Sequence, residues 1–222
     1  MRSPAAGFFK QSAFHYSRFL AAGILAGLTL SLTVSSSSGG KFIGGGCDGC
    51  RLMFEGMPGT LGPETKFPRK GEEGEPLEID GVIYQRDGKA PAADVILYLY
   101  HTDTRGLYAP AAEQKAGLRH GRFRGWVRTD ETGRYRFRTI RPAPYPGGTT
   151  PAHIHPTIKE PGKNEYYIDE YRFEDDPLLT ASERAKEEKR GGSGIISLEK
   201  NEAGIWMGRR DIVLGQNIPN YY

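Results

Sequence analysis

The sequence predicts an all-β fold, a β-sandwich with long functional loops and one short helix. Gly and Pro are frequent, with 30 and 15 among the 222 residues, and this favours a turn-rich architecture over a helical bundle. Several short segments are continuously apolar or alternate apolar with polar residues, as buried and half-buried strands do. The chain is long enough for one folded domain with additional segments.

The first 39 residues are predicted to be a signal peptide and its cleavage region. Three basic residues precede the uncharged run 19–34, and small residues follow it, which is the order found in secretory signals. The run has 16 residues, fewer than the roughly 20 that a membrane span needs, so an uncleaved membrane anchor is the second interpretation. The sequence therefore predicts an exported protein, periplasmic or extracellular.

Residues 40–75 are predicted to be a flexible linker with a Cys-x-x-Cys motif, and residues 76–222 the folded domain. The linker segment is rich in Gly, Pro, Ser and charge and has only short apolar pieces such as RLMF. Cys47 and Cys50 are the only cysteines, and in an oxidising compartment such a close pair most simply forms a small disulfide loop. A redox motif, a metal site and a lipid-modified Cys47 are minor alternatives.

The strands of the domain are predicted from short segments separated by turn signals. DVILYLYH is a nearly continuous apolar run, typical of a buried strand. Tyr135, Phe137 and Thr139 alternate with arginines behind a turn at residues 130–133, and this predicts a half-buried hairpin. The predicted segments are, in chain order, LEIDGVIY with a turn at Asp87 and Gly88, DVILYLYH, GWVRTDETGRYRFRTI, the strand around PAHIHP and the tail IWMGRRDIVLG.

The one predicted helix covers residues 180–189. Thr180 and Glu183 have the spacing of a capping box, in which each side chain accepts a hydrogen bond from the other residue's backbone N–H. The two residues therefore mark the start of the helix.

The charge pattern argues against a nucleic-acid partner. The formal net charge is only +3, and the arginines of RYRFRTIR alternate with apolar residues instead of forming a basic block. A solvated strand face explains them better than a nucleic-acid surface, so no nucleic acid is expected to bind.

The segment TTPAHIHP holds two of the five histidines. In an extended strand His153 and His155 point the same way, while Ile154 points to the opposite face. Taken alone, such a pair is more often two surface histidines than a site. Two loops, RGLYAP and RPAPYPGG, add Tyr108 and Tyr145, each of which is by itself most simply a packed aromatic residue.

Together the four side chains indicate a metal site. A tyrosine ionises near pH 10, so a phenolate at neutral pH needs a strong cation beside it. Ferric iron is hard and highly charged and favours anionic oxygen with imidazole completing the set, whereas zinc more usually takes Cys, His or carboxylate. The sequence therefore favours Fe(III) at this point.

The chain resembles the intradiol ring-cleavage dioxygenases, the family of protocatechuate 3,4-dioxygenase and catechol 1,2-dioxygenase, over residues 79–162. The resemblance lies in three segments, IDGVIYQRDGKAPAADVILYLYHTDTRGLYA, FRGWVRTDETGRYRFRTIRPAPYP and PAHIHPTIKEPG. It implies a non-haem Fe(III) held by Tyr108, Tyr145, His153 and His155, with a hydroxide as fifth ligand. It also implies that the protein opens a small aromatic diol with O2 between the two hydroxylated carbons, as a monomer or a homo-oligomer.

The resemblance assigns catalytic roles to the two tyrosines. Tyr145 would be the labile ligand that leaves the metal as a catechol chelates it and takes up a substrate proton, while Tyr108 would stay bound. One position departs from the family pattern, because Thr150 stands where the family usually has an arginine three residues before the first histidine ligand. A cation that stabilises developing negative charge is thus missing, and Arg141, Arg124 or Lys159 are the candidates to replace it.

Two other functions stay open at the sequence level. One is an exported, non-catalytic β-sandwich binding module, since the strand pattern also occurs in such proteins. The other is a relative that binds iron but is inactive, an alternative that the missing arginine leaves open. The four ligand-type residues argue for the enzyme.

Overall fold

The chain forms a sandwich of two β-sheets around a shared apolar core, which confirms the predicted fold class. The computed structural model describes residues 42–68, 73–108 and 120–222, and within these ranges each sheet has six strands. The strands are β1 (Glu64–Lys66), β2 (Pro76–Tyr84), β3 (Ile96–His101), β4 (Arg124–Arg128), β5 (Arg134–Ile140), β6 (His153–Lys159), β7 (Tyr166–Tyr167), β8 (Tyr171–Phe173), β9 (Ile195–Ile196), β10 (Leu198–Lys200), β11 (Trp206–Arg209) and β12 (Ile212–Val213).

The first sheet has the order β1-β5-β2-β11-β10, with β12 also pairing with β2, and the second has the order β4-β3-β6-β8-β9, with β7 pairing with β6. Ile79 of β2 and Phe137 of β5 belong to one buried cluster with Leu97 of β3 and Ile158 of β6. Burying each such side chain contributes about 1.5–3 kcal/mol relative to leaving it in water. The core therefore fixes β6, the strand of the two histidines, against the opposite sheet.

The segment predicted as a hairpin instead crosses between the two sheets. β4 pairs with β3, whereas β5 pairs with β1 and β2 in the other sheet. The predicted turn is present, since Asp130 Oδ1 accepts hydrogen bonds from the backbone N–H groups of Thr132 and Arg134 at 2.8 and 3.1 Å. The hairpin prediction was wrong because a turn signal fixes the reversal of the chain but not the partner of either strand.

The segment predicted as a flexible linker is part of the folded unit where the structure describes it. Ile43, Met53 and Phe67 are buried, and β1 pairs in parallel with β5. Phe67 packs so closely on Gly125 that a Cβ there would lie 2.2 Å from its ring. The linker prediction is therefore corrected for residues 42–68, because a few buried apolar anchors outweigh a loop-like composition.

The helix α1 is shorter than predicted and covers only Ala181–Arg184. Its predicted start is correct, because Thr180 Oγ1 accepts the backbone N–H of Glu183 at 3.3 Å. Further on, the carboxylate of Asp169 accepts the backbone N–H groups of Lys189 and Arg190 at 2.8 and 3.1 Å. Between these points the backbone N–H groups of Lys186 and Glu187 donate to carbonyls three residues back, not four, so the α-helix gives way to tighter turns.

The chain divides into two units, Met1–Gly39 and Gly40–Tyr222. The predicted signal peptide and cleavage region lie outside the described residues and remain predictions. Among the residues that are described, no helix is long and apolar enough to cross a membrane.

Candidate functional site

The two histidines of β6 meet at one point, as their spacing predicts. His153 Nε2 and His155 Nε2 lie 3.0 Å apart, while Ile154 between them is fully buried in the core. The alternation of side chains along a strand produces this arrangement. One face of β6 thus supplies two imidazole nitrogens, and the other face anchors the strand.

The two predicted tyrosines join the histidines. Tyr108 Oη lies 2.6 Å from Tyr145 Oη and 2.9 Å from His155 Nε2. Tyr145 Oη lies 3.1 Å from His153 Nε2 and 3.4 Å from His155 Nε2. Two phenolic oxygens and two imidazole nitrogens, all ligand-type atoms, therefore converge on one small volume.

The loops that carry the tyrosines are bound to each other. Asp103, just after β3, accepts the backbone N–H groups of Arg105 and Leu107 on Oδ1 at 2.9 and 3.0 Å, which shapes the turn before Tyr108. Gly106 in this turn has φ +77°, and a Cβ on it would lie 2.0 Å from the carbonyl oxygen of Pro144. Only glycine allows this close approach, which brings the Tyr108 loop against the residue before Tyr145.

Both histidines have a partner on the far side of the imidazole ring. His153 Nδ1 lies 2.7 Å from the carbonyl oxygen of Pro151, so Nδ1 carries the proton and Nε2 keeps its lone pair toward the cluster. His155 Nδ1 lies 3.8 Å from Glu170 Oε1, and Glu170 Oε2 is 3.0 Å from Arg172 Nη2. Arg172 is opposite His153 in the pairing of β6 with β8.

An aromatic stack holds the ring of His155 in place. Tyr100 stacks on His155 with ring centroids 4.6 Å apart and on His120 with centroids 3.7 Å apart. The Nδ1 atom of His120 in turn lies 3.0 Å from the hydroxyl of Tyr98. β3 therefore supports the site through Tyr98 and Tyr100, which lie on the face of the strand opposite to the sandwich core.

The protein environment favours the uncharged forms of Tyr108, Tyr145 and His155. Burial raises the pKa of the Tyr108 phenol, and the neighbouring Tyr145 raises it further. Burial also raises the pKa of Tyr145 and lowers the pKa of His155 well below its ordinary value. The imidazole is therefore in the neutral form that binds metals, and phenolates here require a strongly charged cation to form.

The donor set fits a hard cation that accepts oxygen and nitrogen. In residues 42–68, 73–108 and 120–222, no group of three or more His, Cys, Asp or Glu side chains is placed to hold a metal ion. A metal in this cluster would be held by phenolic oxygen together with imidazole, which is the combination that suits ferric iron better than zinc.

Thr150 is exposed, three residues before His153, and two of the cations considered as its replacement, Arg141 and Lys159, are engaged elsewhere. The Arg141 guanidinium donates to both oxygens of Asp175 at 2.7 and 2.8 Å, Lys159 Nζ donates to the Glu160 carbonyl at 2.8 Å, and Arg124 lies over the Trp126 ring, 5.5 Å from its centroid. The cation that the structure puts beside the histidine strand is Arg172, linked to His155 through Glu170.

Sequence reasoning alone misses Glu170, Arg172 and Tyr100. A signal for the first two is present in YIDEYRF, where Glu170 and Arg172 are two residues apart and so share one face of an extended segment. The sequence does not reveal that this segment pairs with the histidine strand. The site also extends to the Cys47–Cys50 disulfide loop, which composition had indicated to be linker.

Comparisons with known proteins agree with this geometry. A family model described as Dioxygenase matches residues 60–192. Catechol 1,2-dioxygenase from Acinetobacter baylyi is 32% identical over 130 residues, which is 50% of this chain and 40% of that protein. The protocatechuate 3,4-dioxygenase beta chain from Burkholderia cepacia is 30% identical over 113 residues, 48% of each chain. This chain thus spans about half, or less, of the length of these relatives.

Solved structures show the same fold. The dioxygenase domain of a dioxygenase carbohydrate-binding protein fusion from Streptomyces sp. SirexAA-E superposes with a TM-score of 0.52 at 24% identity, covering 71% of this chain and 91% of that one. 3-Chlorocatechol 1,2-dioxygenase from Rhodococcus opacus 1CP gives 0.51 at 27% identity, covering 71% and 67%. The family model matches more than half of the chain, and the chain therefore belongs to the intradiol ring-cleavage dioxygenase family.

Proposed function

We propose that the protein is a non-haem Fe(III) dioxygenase that cleaves a catechol-type aromatic ring with O2 between the two hydroxylated carbons. The observation that carries this proposal is the convergence of Tyr108, Tyr145, His153 and His155, whose ligand-type atoms lie 2.6–3.4 Å apart. The names of the relatives, catechol 1,2-dioxygenase and protocatechuate 3,4-dioxygenase beta chain, support the substrate class.

Each ligand residue has a distinct task in this proposal. When bound, ferric iron supplies the Lewis acidity that stabilises a catecholate near neutral pH and favours its reaction with O2. His153 and His155 hold the metal as neutral imidazoles, and the carbonyl of Pro151 fixes the orientation of His153. β6, anchored in the core through Ile154, sets the position of both imidazoles.

The two tyrosines differ in how firmly the fold holds them. Tyr145 is followed by the exposed residues 146–150, and we propose that its ring is the one that swings away from the cluster. Because burial raises the pKa of its phenol, a Tyr145 phenolate would be a good acceptor, at Oη, for a proton released by the bound diol. Tyr108 packs against Tyr100, Tyr145 and His155, and we propose that it stays in place.

Iron binding is the first test of the proposal. Phenolate bound to Fe(III) absorbs visible light, so we expect the iron-loaded protein to be coloured and to contain one iron per chain. Tyr108→Phe and Tyr145→Phe remove one phenolate each and should weaken and shift the band. Tyr84→Phe, a half-buried tyrosine of β2, is the matched control and should leave the spectrum unchanged. The measurements are metal analysis and visible spectroscopy.

Product analysis then separates the enzyme from its alternatives. With catechol and O2 we expect consumption of one O2 per ring and a muconate-type diacid. A colourless protein after iron loading would contradict the iron site and favour a binding module. A coloured protein without O2 uptake on any catechol would instead identify an iron-binding, inactive relative.

A further inference from the structure

Residues 141–152 connect β5 to β6 and form the Tyr145 loop, which carries the ligand that is proposed to leave the metal. The middle of this loop, residues 146–150, is exposed. Near its two ends the loop is buried, at Pro142 and at Ala152. The loop therefore has two ends fixed in the fold and an exposed segment between them.

The first end of the Tyr145 loop is held by Arg141. Its guanidinium donates to both carboxylate oxygens of Asp175 at 2.7 and 2.8 Å, a paired geometry that is strong and specific in direction. The same guanidinium lies over the rings of Phe173 and Trp206, 5.2 and 5.1 Å from their centroids. Only 18% of the Arg141 side chain is exposed, so solvent screens this ion pair less than a pair on the open surface.

The second end of the loop is held by Asp176. The backbone N–H of Ala152, the residue before the ligand His153, donates to Asp176 Oδ2 at 2.7 Å. The other oxygen, Oδ1, accepts the backbone N–H of Leu178 at 2.8 Å. Asp176 is buried, and an amide side chain at this position would have one acceptor oxygen for these two donors. The position therefore requires a carboxylate.

Both ends of the Tyr145 loop thus meet two consecutive residues that follow β8, the strand that pairs with β6. Further contacts hold the first end, since the Ala143 N–H donates to the Asp103 carbonyl oxygen at 3.2 Å and its carbonyl oxygen accepts Thr102 Oγ1 at 2.7 Å. The backbone is therefore held as far as Ala143 and again from Ala152. The segment between these two residues carries Tyr145.

We propose that Asp175 and Asp176 are positioning residues for the reaction, which fix both ends of the Tyr145 loop and confine the departure and return of the Tyr145 phenol to the exposed segment. This inference rests on the proposed function, because it assumes that Tyr145 is the labile ligand. The two aspartates act through the loop, by setting where the Tyr145 ring returns after it has swung away.

The first test needs no iron. Backbone N–H groups of Arg141, Ala143 and Ala152 are hydrogen-bonded, so their hydrogen exchange in the iron-free protein, followed by NMR, reports how firmly each end is held. Loss of a hydrogen bond to a charged group corresponds to about a tenfold change in an equilibrium. Asp175→Asn should therefore speed exchange at Arg141 and Ala143, and Asp176→Asn at Ala152, by about tenfold.

Glu174→Gln is the matched control for these variants. Glu174 is the residue before Asp175, and its Oε2 accepts Arg184 Nη1 of α1 at 2.8 Å. The variant therefore breaks an ion pair in the same segment whose partner lies outside the Tyr145 loop. Exchange at the three loop amides should stay as in wild type.

The second test uses the phenolate absorption of the iron-loaded protein to separate positioning from general destabilisation. Asp175→Asn should weaken the band in the Tyr108→Phe background, where Tyr145 supplies the phenolate, because a loosened loop lowers the fraction of Tyr145 that is bound. In the Tyr145→Phe background, where Tyr108 supplies it, Asp175→Asn should leave the band unchanged. Equal loss of the band in both backgrounds would overturn the inference.

The exchange data also separate this inference from the proposed function. Unchanged exchange in both aspartate variants, or equally fast exchange in Glu174→Gln, would refute the role of the aspartates, while ring cleavage by wild type would leave the dioxygenase intact. Faster exchange in a protein that stays colourless with iron would support the fixing of the loop and refute the dioxygenase. If the buried Asp176→Asn fails to fold, Asp175→Asn, at a half-exposed side chain, still decides the outcome.

Discussion

Thr150 is the residue at which this chain departs from the family it belongs to, and its position in the structure makes it testable. It is exposed and immediately precedes the segment that enters the histidine strand. We expect Thr150→Arg to speed turnover of catechol, because a guanidinium there would stabilise negative charge that develops on the ring as it reacts with O2. Loss of one preorganised donor commonly lowers kcat by about 10²- to 10³-fold. We therefore expect Thr150→Arg to raise kcat by up to about the same factor.

The control for this prediction is the neighbouring residue. Thr149→Arg adds the same charge one residue earlier on the same exposed loop, and it should give no gain if the position of the guanidinium, not the added charge, is what matters. O2 uptake with catechol, for iron-loaded proteins of equal metal content, is the measurement. Fast turnover by wild type with no gain in Thr150→Arg would show that another cation, with Arg172 the nearest candidate, already fills the role.

At the scale of the elements, the two tyrosine loops hold the site together through Gly106. A Cβ at this residue would lie 2.0 Å from the Pro144 carbonyl oxygen, so we expect Gly106→Ala to push the loops apart and separate Tyr108 from Tyr145. Iron affinity should fall, and stability should fall by about 1 kcal/mol or more, because alanine is also strained at positive φ.

Gly147→Ala provides the comparison that isolates the contact between the loops. Gly147 also has positive φ, +67°, but a Cβ there would meet nothing within 4 Å. It carries the backbone strain without the clash. Iron titration and thermal unfolding of both variants are the measurements. Equal losses of iron affinity and stability in Gly106→Ala and Gly147→Ala would mean that backbone strain alone, and not the contact between the two loops, explains the effect.

The elements also show what the sequence can and cannot predict. Alternation and spacing were sufficient for β2, β3 and β6 and for placing His153 and His155 on one face of β6, because these signals are local to the chain. The choice of Tyr108 and Tyr145 depended on ligand chemistry and on the resemblance to the family. Strand partners are not local. β4 and β5 flank a correctly predicted turn but enter different sheets, and Glu170 reaches His155 only because β8 lies beside β6. The linker prediction for residues 42–68 was wrong because it depended on composition. The few buried side chains that hold this segment in the fold, such as Met53 and Phe67, hardly change its composition.

For the whole molecule, one buried histidine makes stability depend on pH. His101 is fully buried, with Nε2 2.7 Å from Thr139 Oγ1 and Nδ1 2.7 Å from the Thr102 carbonyl oxygen. Burial lowers its pKa to about 4, and the nearby His153 contributes in the same direction. The ordinary pKa of histidine is near 6.5. Below that pH, His101 binds a proton in the unfolded chain but stays neutral in the folded chain until the pH approaches 4. Unfolding free energy should therefore fall as pH falls from 6.5 toward 4.

The size of this effect follows from the proton uptake on unfolding. One proton corresponds to about 1.4 kcal/mol per pH unit, so the loss between pH 6 and pH 5 should approach 1 kcal/mol. His101→Gln keeps a hydrogen-bonding side chain but removes the titration. Urea unfolding of iron-free protein at pH 5, 6 and 7 should show a shallower dependence in the variant than in wild type. Parallel curves would rule out His101 as the source.

The position of β2 at the centre of its sheet bears on how the protein is made. β5 pairs along one edge of β2, while β11 and β12 pair in parallel along the other, joined where Gly81 meets the backbone of Arg210. Residues 206–213 are synthesised long after β2, so a ribosome-bound chain presents an open strand edge until these residues emerge. Such edges recruit other strands. A chaperone that covers the β2 edge during synthesis would protect it until β11 and β12 pair with it.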